Sequence, residues 1–388
     1  MARAVHGIES LVATEIRRSR LGVVRGIRHR EVWFETSSSE SELLGLRTAD
    51  DVLLAAAVVD GIGHGRSALR RLARAAREVG TGGPTRPSGG LGDGLRDGPG
   101  DGLEVSASFV GRRNYTRFEI EDAVGAELAR PLRLRYHSRS GGGRPPEGAM
   151  SWRVTIEGDQ AVIALRLADR PLHRRPYKTA SVRGTLHPPV AAAMAELARL
   201  GGAGTVLDPC CGAGTTLIEA AALSEAAALS EAAAPVAGPA PVRLLGFDHD
   251  PAALRAAAAN ARTAFPEDLM SFAWGVADGG RIPVDDGRAD RVLVNPPWGR
   301  QVPPKGLLAG DLGLLWREVR RVLAADGLAV ALVHDEIPRG FTVEEAVRVS
   351  LSGQHPVIAV LGRRARTQRS AGPQAGPSVR RPGRASPG

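Results

Sequence analysis

"GTVLDPCCGAGTT", residues 204–216, changes character three times within one short run. Val206-Leu207 reads as the end of a buried strand closed by Asp208, Gly212 and Gly214 permit a turn that brings backbone close to a ligand, and Thr215-Thr216 open an alanine-rich helix. A glycine turn before a helix start offers unpaired N–H groups to a polar ligand. No Gly-Lys-Thr follows, which disfavours a triphosphate loop, although dinucleotide sites share the pattern. Outward from this stretch, from residue 186 onward, helices ("VAAAMAELARL", "PAALRAAAANARTAF", "LGLLWREVRRVLAADG") alternate with strands ("VRLLGFD", "FAWGVAD", "RVLVN", "LAVALVH"). The alternation predicts an α/β, Rossmann-like, parallel doubly wound sheet with its ligand at the carboxyl ends of the strands.

Strand tips carry the candidate chemistry. "RLLGF" ends in Asp248, where one carboxylate can hold two ribose hydroxyls. The separation from the glycine turn exceeds the expected ~20 residues, and setting aside residues 225–240 restores it. Those residues belong largely to the repeat "EAAALSEAAALSEAAAP", starting at Glu219, whose period of six keeps no helical face inward and predicts a solvent-side extension. Asp250 before Pro251 reads as a helix N-cap. Asp278, after a short third strand, is placed either to meet an adenine amino group or to sit as a solvated turn acid.

"DRVLVNPPWGRQ", residues 290–301, ends a strand in an amide, two prolines and an indole. The exocyclic amine of a base is a poor nucleophile because its lone pair is delocalised. The Asn295 side-chain oxygen and the Pro296 carbonyl can accept its two hydrogens, Pro296 and Pro297 fix φ so that both acceptors converge, and Trp298 offers a stacking face for an unpaired base. Cytosine C5 methylation would need a cysteine where Asn295 stands. The two cysteines, Cys210 and Cys211, are adjacent in the glycine turn and read as packing residues; they support neither a disulfide framework nor a zinc set, and no metal is expected. Guanine N2, adenine N6, cytosine N4 and a protein glutamine amide remain as targets, with a noncatalytic RNA-binding protein as the alternative of another class.

"DPCCGAGT", "GFDHD", Ala277-Asp278 and "NPPWG", in that order, resemble class I methyltransferases that use S-adenosylmethionine, over roughly residues 181–362. The resemblance implies that Asp208, Gly212 and Gly214 line the methionine and sulfonium end, with Cys210 and Thr215 in the same turn and Asn295 beside it, that Asp248 takes the ribose, and that Asp278 takes the adenine.

The chain before residue 186 reads as α+β: strand, helix and strand over 1–36, more helix over 42–79, then strand "LEVSASF", helix "FEIEDAVGAELARP", strand "LRLRYH" and hairpin "SWRVTIEGDQAVIALRLA". Arg112, Arg113 and Arg117 interleave with Tyr115, and Arg174, Arg175 and Lys178 flank Tyr177, both patterns suited to RNA. "VHGIESLVATEI", "SFVGRRNYTRFEIEDAVG", "WRVTIEGDQAVIALRL" and "RRPYK" resemble the ferredoxin-like and THUMP modules of RNA methyltransferases. That resemblance implies a grip on structured RNA, tRNA foremost, and guanine-N2 methyl transfer, with ribosomal RNA, DNA adenine and protein glutamine as alternative substrates. The expected organisation is a ferredoxin-like region (1–79), a Gly/Pro-rich linker (80–103), a THUMP-like region (104–178), a methyltransferase domain (179–362) and a basic disordered tail (363–388).

Charge agrees with that division. Residues 1–180 carry a net +7 and residues 181–362 a net −5, while 363–388 hold seven arginines and no acid, so the polyanion-holding half is the first. No apolar stretch is long enough to span a bilayer and no leader pattern opens the chain, which predicts a cytoplasmic protein without membrane contact.

Overall fold

Two sheets organise the chain. The computed structural model describes residues 1–82, 102–231, 242–266, 270–298 and 302–363, so the expected linker and basic tail lie almost wholly outside the described residues. The first half forms β1 (Ala2–Arg3), α1 (Glu9–Arg18), β2 (Val23–Arg28), β3 (Glu31–Glu35), α2 (Glu40–Leu44), β4 (Asp51–Val59), α3 (Ser67–Gly82), β5 (Gly102–Phe109), α4 (Arg117–Leu132), β6 (Arg135–Tyr136), β7 (Met150–Glu157) and β8 (Gln160–Arg166). All eight strands join one sheet in the order β2-β3-β1-β4-β8-β7-β5-β6.

Local sequence explains most of these elements. Thr116 and Glu119 form a reciprocal capping box that starts α4, and Ile120, Val124 and Leu128 repeat every four residues to make its buried face. Leu72 and Ala76 of α3 belong to the same apolar cluster. In the β7–β8 hairpin, Val154 and Ile156 are buried between half-buried polar neighbours, and Gly158 takes φ +57° in the turn. Residues 51–59 correct the expectation of helix. Despite its alanines and leucines, β4 pairs with β1 on one edge and β8 on the other, and ladder bonds on both edges outweigh local helix preference.

The second half forms α5 (Pro188–Leu197), β9 (Thr205–Asp208), α6 (Thr215–Glu231), β10 (Arg243–Asp248), α7 (Pro251–Ala264), β11 (Ser271–Val276), β12 (Ala289–Val294), a 3-10 turn (Gly306–Ala309), α8 (Gly313–Val322), β13 (Leu323–Val333), β14 (Phe341–Arg348) and β15 (Val357–Arg363). The sheet order is β11-β10-β9-β12-β13-β15-β14. The first five strands are mutually parallel, as the alternation predicts. Two details depart from it: β15 runs antiparallel to both β13 and β14, and the helix expected over 312–327 ends at Val322. β14 is a largely exposed edge strand whose "FTVEEAVR" carries no apolar alternation, so the hairpin leaves little mark in the sequence.

Ile8, at the N-cap of α1, and Val12 and Ile16 of α1 share one apolar core with Val190 and Met194 of α5 and Leu217 and Ile218 of α6. The two halves therefore bury a common interior and hold a fixed relation to each other. The alanine repeat takes part in it: Glu219, Ala220 and Ala221 are fully buried, which corrects the expected solvent-side extension at its beginning. Among the described residues, no helix is long and apolar enough to cross a membrane.

Candidate active site and RNA-facing surface

β9 has β10 on one side and β12 on the other, so the chain winds outward in both directions from this pair and a crevice opens at their carboxyl ends. Asp208 ends β9. Only 1% exposed, it accepts hydrogen bonds from the Thr216 hydroxyl and from the Cys210 backbone N–H at 2.9 Å. Its carboxylate thus shapes the glycine turn rather than reaching out of it, and burial raises its pKa to about 7. The turn is tied to β10 by two bonds, Cys211 N–H to the Phe247 carbonyl at 2.9 Å and Gly212 N–H to Asp248 Oδ2 at 3.0 Å. Gly214 adopts φ +78°, and a Cβ there would meet Trp274 at 3.0 Å and Ala257 at 3.1 Å. Burial, then the neighbouring carboxylates of Asp208 and Asp248, pushes the Cys210 and Cys211 thiols well up, so they stay protonated.

Asp248 also accepts from Asp250 N–H at 2.9 Å, and Asp250 caps α7 through Ala252 N–H at 2.8 Å, as expected of it. Asp278 accepts from the N–H groups of Gly280 and Leu307, both at 2.8 Å. Each of its oxygens already holds one donor, so it also anchors the turn after residue 305. Asn295 follows β12 directly. Its Nδ2 donates to the Gly184 carbonyl at 3.4 Å, and its Oδ1 accepts from Trp298 Nε1 at 3.3 Å. The indole is half-buried, with its ring 4.9 Å from that of His334, so the stacking face expected of Trp298 is shared with a histidine. One lone pair of Asn295 Oδ1 is engaged and one remains for a substrate.

The glycine turn, Asp248, Asp278 and the Asn295–Trp298 turn all open into a single cleft of about 1130 Å³. Thr215, the first residue of α6, lines this cleft, and its buried Oγ1 has no hydrogen-bond partner among the described residues. An unpaired hydroxyl beside a helix N-terminus suits the carboxylate of an amino-acid moiety. Sequence reasoning missed Asn260: fully buried on α7, it donates to the carbonyls of Ala180 and Ala213 and accepts from Ala180 N–H, lacing the connecting segment to the glycine turn. Its signal was an amide in the middle of an alanine helix. Lys305 and His334, which also line the cleft, carried none.

The expected RNA contacts separate into two groups. Arg117 and Arg174 line a cavity of about 480 Å³ that also receives Arg139, Arg144, Arg153 and Arg166. Arg153 lies on the polar positions of β7, a signal the alternation held, and burial together with the nearby Arg3 and Arg166 lowers its pKa. Arg174 lines both this cavity and the large cleft; Lys178 lines the cleft; Arg112 is exposed. Arg113, Tyr115 and Arg175 are corrected. Arg113 donates to the carbonyls of Ile62, Gly63 and Gly158, and Tyr115, 3% exposed, donates to the Gly63 carbonyl. Arg175 is buried against Glu219, Leu172 and Arg47. The Tyr115 hydroxyl and the Arg175 guanidinium are spent on the protein itself, and Arg113 is tied down through both of its terminal nitrogens while its Nε has no partner among the described residues, so all three fix the scaffold.

Residues 175–348 match the family described as UPF0020, RMKL-like methyltransferase domain. The tRNA (guanine(6)-N2)-methyltransferase of Thermus thermophilus is 31% identical over 267 residues, which cover 67% of this chain and 72% of that enzyme. The chain belongs to the RMKL-like RNA methyltransferase family. The crystal structure of TrmN from Thermus thermophilus matches this methyltransferase with TM-score 0.67 and 27% identity, covering 93% of this chain and 98% of that one. The ribosomal RNA large subunit methyltransferase K/L of Aliivibrio fischeri is 26% identical over 256 residues, and the methyltransferase spans only 35% of its length. Family and fold make the chain an S-adenosylmethionine-dependent RNA methyltransferase.

Proposed function

We propose that the protein methylates the N2 amine of a guanine in tRNA. The observation that carries this reading is the shared cleft, in which the Asn295–Trp298 turn and the Gly212–Gly214 turn face one space. Guanine N2 and tRNA are favoured because the tRNA enzyme from Thermus aligns over most of its length, whereas the ribosomal enzyme aligns over about a third.

The residues fit the cofactor. Thr215 Oγ1 supplies a buried hydroxyl without a partner among the described residues, Gly212 and Gly214 at positive φ shape the turn that lines the cleft, and Asp248 stands at the neighbouring strand tip. When bound, S-adenosylmethionine supplies an electrophilic methyl group on sulfur. Asn295 Oδ1 and the Pro296 carbonyl accept the two hydrogens of the target amine and turn its lone pair out of the base plane. The Trp298–Asn295 bond and the buried Pro296 keep these acceptors from rearranging, so orientation contributes most of the protein's share. Two neutral acceptors suffice because a strong donor needs no strong base.

The arginine-lined cavity of the first half supports phosphate binding, and Arg174 connects it to the cleft. On this reading the first half, up to about residue 178, holds the RNA and the remainder carries the chemistry. We read the protein as cytoplasmic, which its free Cys210 and Cys211 suit.

The test is methyl transfer from labelled S-adenosylmethionine to purified tRNA, ribosomal RNA, DNA and protein, followed by mass spectrometry of digested nucleosides. N2-methylguanosine from tRNA is expected. Label confined to ribosomal RNA would move the substrate, label in DNA or protein alone would refute the RNA reading, and cofactor binding without transfer would leave a binding module.

A further inference from the structure

Asp50, His173 and His187 come from three separate parts of the chain: the turn before β4, the segment joining the two halves, and the residue that precedes α5. The backbone brings them together, since His173 N–H donates to the Asp50 carbonyl at 3.1 Å and Asp50 N–H donates to the Arg3 carbonyl at 2.8 Å. One ligand atom from each of the three side chains lies within 4.8 Å of the other two, and Asp50 Oδ1 stands 3.6 Å from His187 Nε2. Of the seven buried side-chain polar atoms that lack a partner among the described residues, three belong to this cluster: Asp50 Oδ1, His173 Nδ1 and His187 Nδ1. A buried polar atom left without a hydrogen-bond partner is costly to the fold. Asp50 Oδ1 stands nearest His187 Nε2, so an ion between them would be held through that nitrogen and would give the orphaned Asp50 oxygen a partner.

We propose that Asp50, His173 and His187 bind a divalent transition-metal ion, Zn²⁺ foremost, at the seam between the two halves. Two imidazoles and one carboxylate form a donor set that borderline-soft cations favour, whereas Mg²⁺ and Ca²⁺ take oxygen ligands. Arg3, Arg30 and Arg175 lie near Asp50, and Lys178 and Arg175 lie near His187; these charges oppose any cation, so the two imidazole donors must carry the binding. Arg3 and Arg175 are themselves neutralised by Glu31 and Glu219. Burial lowers the pKa of both imidazoles, that of His187 to about 4, so their ligand nitrogens are unprotonated at neutral pH.

One of the three ligand pairs is already near bonding spacing, and the pairs that include His173 lie within 4.8 Å. Zinc–nitrogen and zinc–oxygen bonds of about 2.0–2.1 Å in a tetrahedron separate ligand atoms by roughly 3.3 Å, and the Asp50–His187 pair is already at 3.6 Å. His173 and His187 line the large cleft, so the remaining coordination position opens toward it for water. A second cluster, His6, Glu9 and His29, does not qualify: the Glu9 carboxylate already accepts from Gly7 N–H, Arg30 N–H and His6. The ion would pin the connecting segment and the start of α5 to the first half, independently of which nucleotide is methylated.

The experiment uses the full chain without a histidine tag, stripped by chelator and titrated with Zn²⁺ in a calorimeter and with Co²⁺ in a spectrophotometer. One Zn²⁺ per chain and the intense visible bands of low-symmetry Co²⁺ are expected. Asp50→Asn, His173→Gln and His187→Gln should each weaken Zn²⁺ binding at least tenfold while circular dichroism and S-adenosylmethionine binding show an intact fold. His29→Gln is the control and should leave Zn²⁺ binding unchanged. No binding tighter than millimolar, or binding that survives the His173→Gln/His187→Gln double variant and disappears with His29→Gln, would overturn the proposal.

Discussion

Glu219→Ala should be the most damaging single change outside the cleft. The carboxylate is 0% exposed and receives Arg175 Nε at 2.9 Å, Arg47 Nε at 2.8 Å and the Tyr177 hydroxyl at 2.8 Å. Removing it leaves the Arg175 guanidinium, whose side chain is 5% exposed, without a counter-charge. Breaking a buried ion pair from one side costs about 3–5 kcal/mol. With an unfolding entropy of about 2.1 cal/mol/K per residue over roughly 330 folded residues, 4 kcal/mol lowers the thermal midpoint by about 6 °C. Differential scanning calorimetry and urea unfolding measure it. A Glu219→Met/Arg175→Met double variant removes both charges and should lose less than Glu219→Ala alone. A loss under about 1 kcal/mol for Glu219→Ala, or a double variant worse than the sum of its singles, would refute the view that this network clasps the two halves.

Three further outcomes are expected. Asn295→Ala should lower kcat by about 10²–10³ with cofactor affinity unchanged by calorimetry; an unaltered kcat removes the amide from the chemistry. For Asp208 the folded chain holds its proton to about pH 7 while an ordinary aspartate releases it near 3.8. Folded stability attributable to this group is therefore present below pH 4 and is lost as pH rises toward 7, by up to about 4 kcal/mol. Relative to wild type, Asp208→Asn should accordingly gain stability over that interval in urea titrations, and a pH-independent difference would contradict the assigned shift. Arg117→Ala/Arg174→Ala should weaken tRNA binding and reduce the slope of log affinity against log salt by about 1.5–2, measured by filter binding; an unchanged slope would mean that the arginine cavity holds no phosphate.

Much of the catalytic half is legible because its signals are local. A glycine turn between apolar strand and helix, an acid at the next strand tip and an amide with two prolines occupy short windows, and the structure gathers them where parallel strands end. The hairpin at 150–166 was equally plain. What stayed hidden depends on partners far away in sequence. An arginine beside a tyrosine looks the same whether it awaits RNA or, like Arg113, is tied by its terminal nitrogens to carbonyls of residues 62, 63 and 158. Glu219 passes for one unit of an alanine repeat until Arg47 and Arg175 meet it. Asp50, His173 and His187 have no short spacing to betray them, and the expectation of no metal rested on the two adjacent cysteines, Cys210 and Cys211.

The interior common to α1, α5 and α6 also bears on descent. Recombination that joined the leading portion of one homologue to the trailing portion of another near residue 178 would transplant half of a jigsaw. Ile8, Val12 and Ile16 must mesh with Val190, Met194, Leu217 and Ile218 wherever the chimera is made. New target preferences in this lineage are therefore expected to arise by substitution on the outer surface, with the seam inherited as a unit.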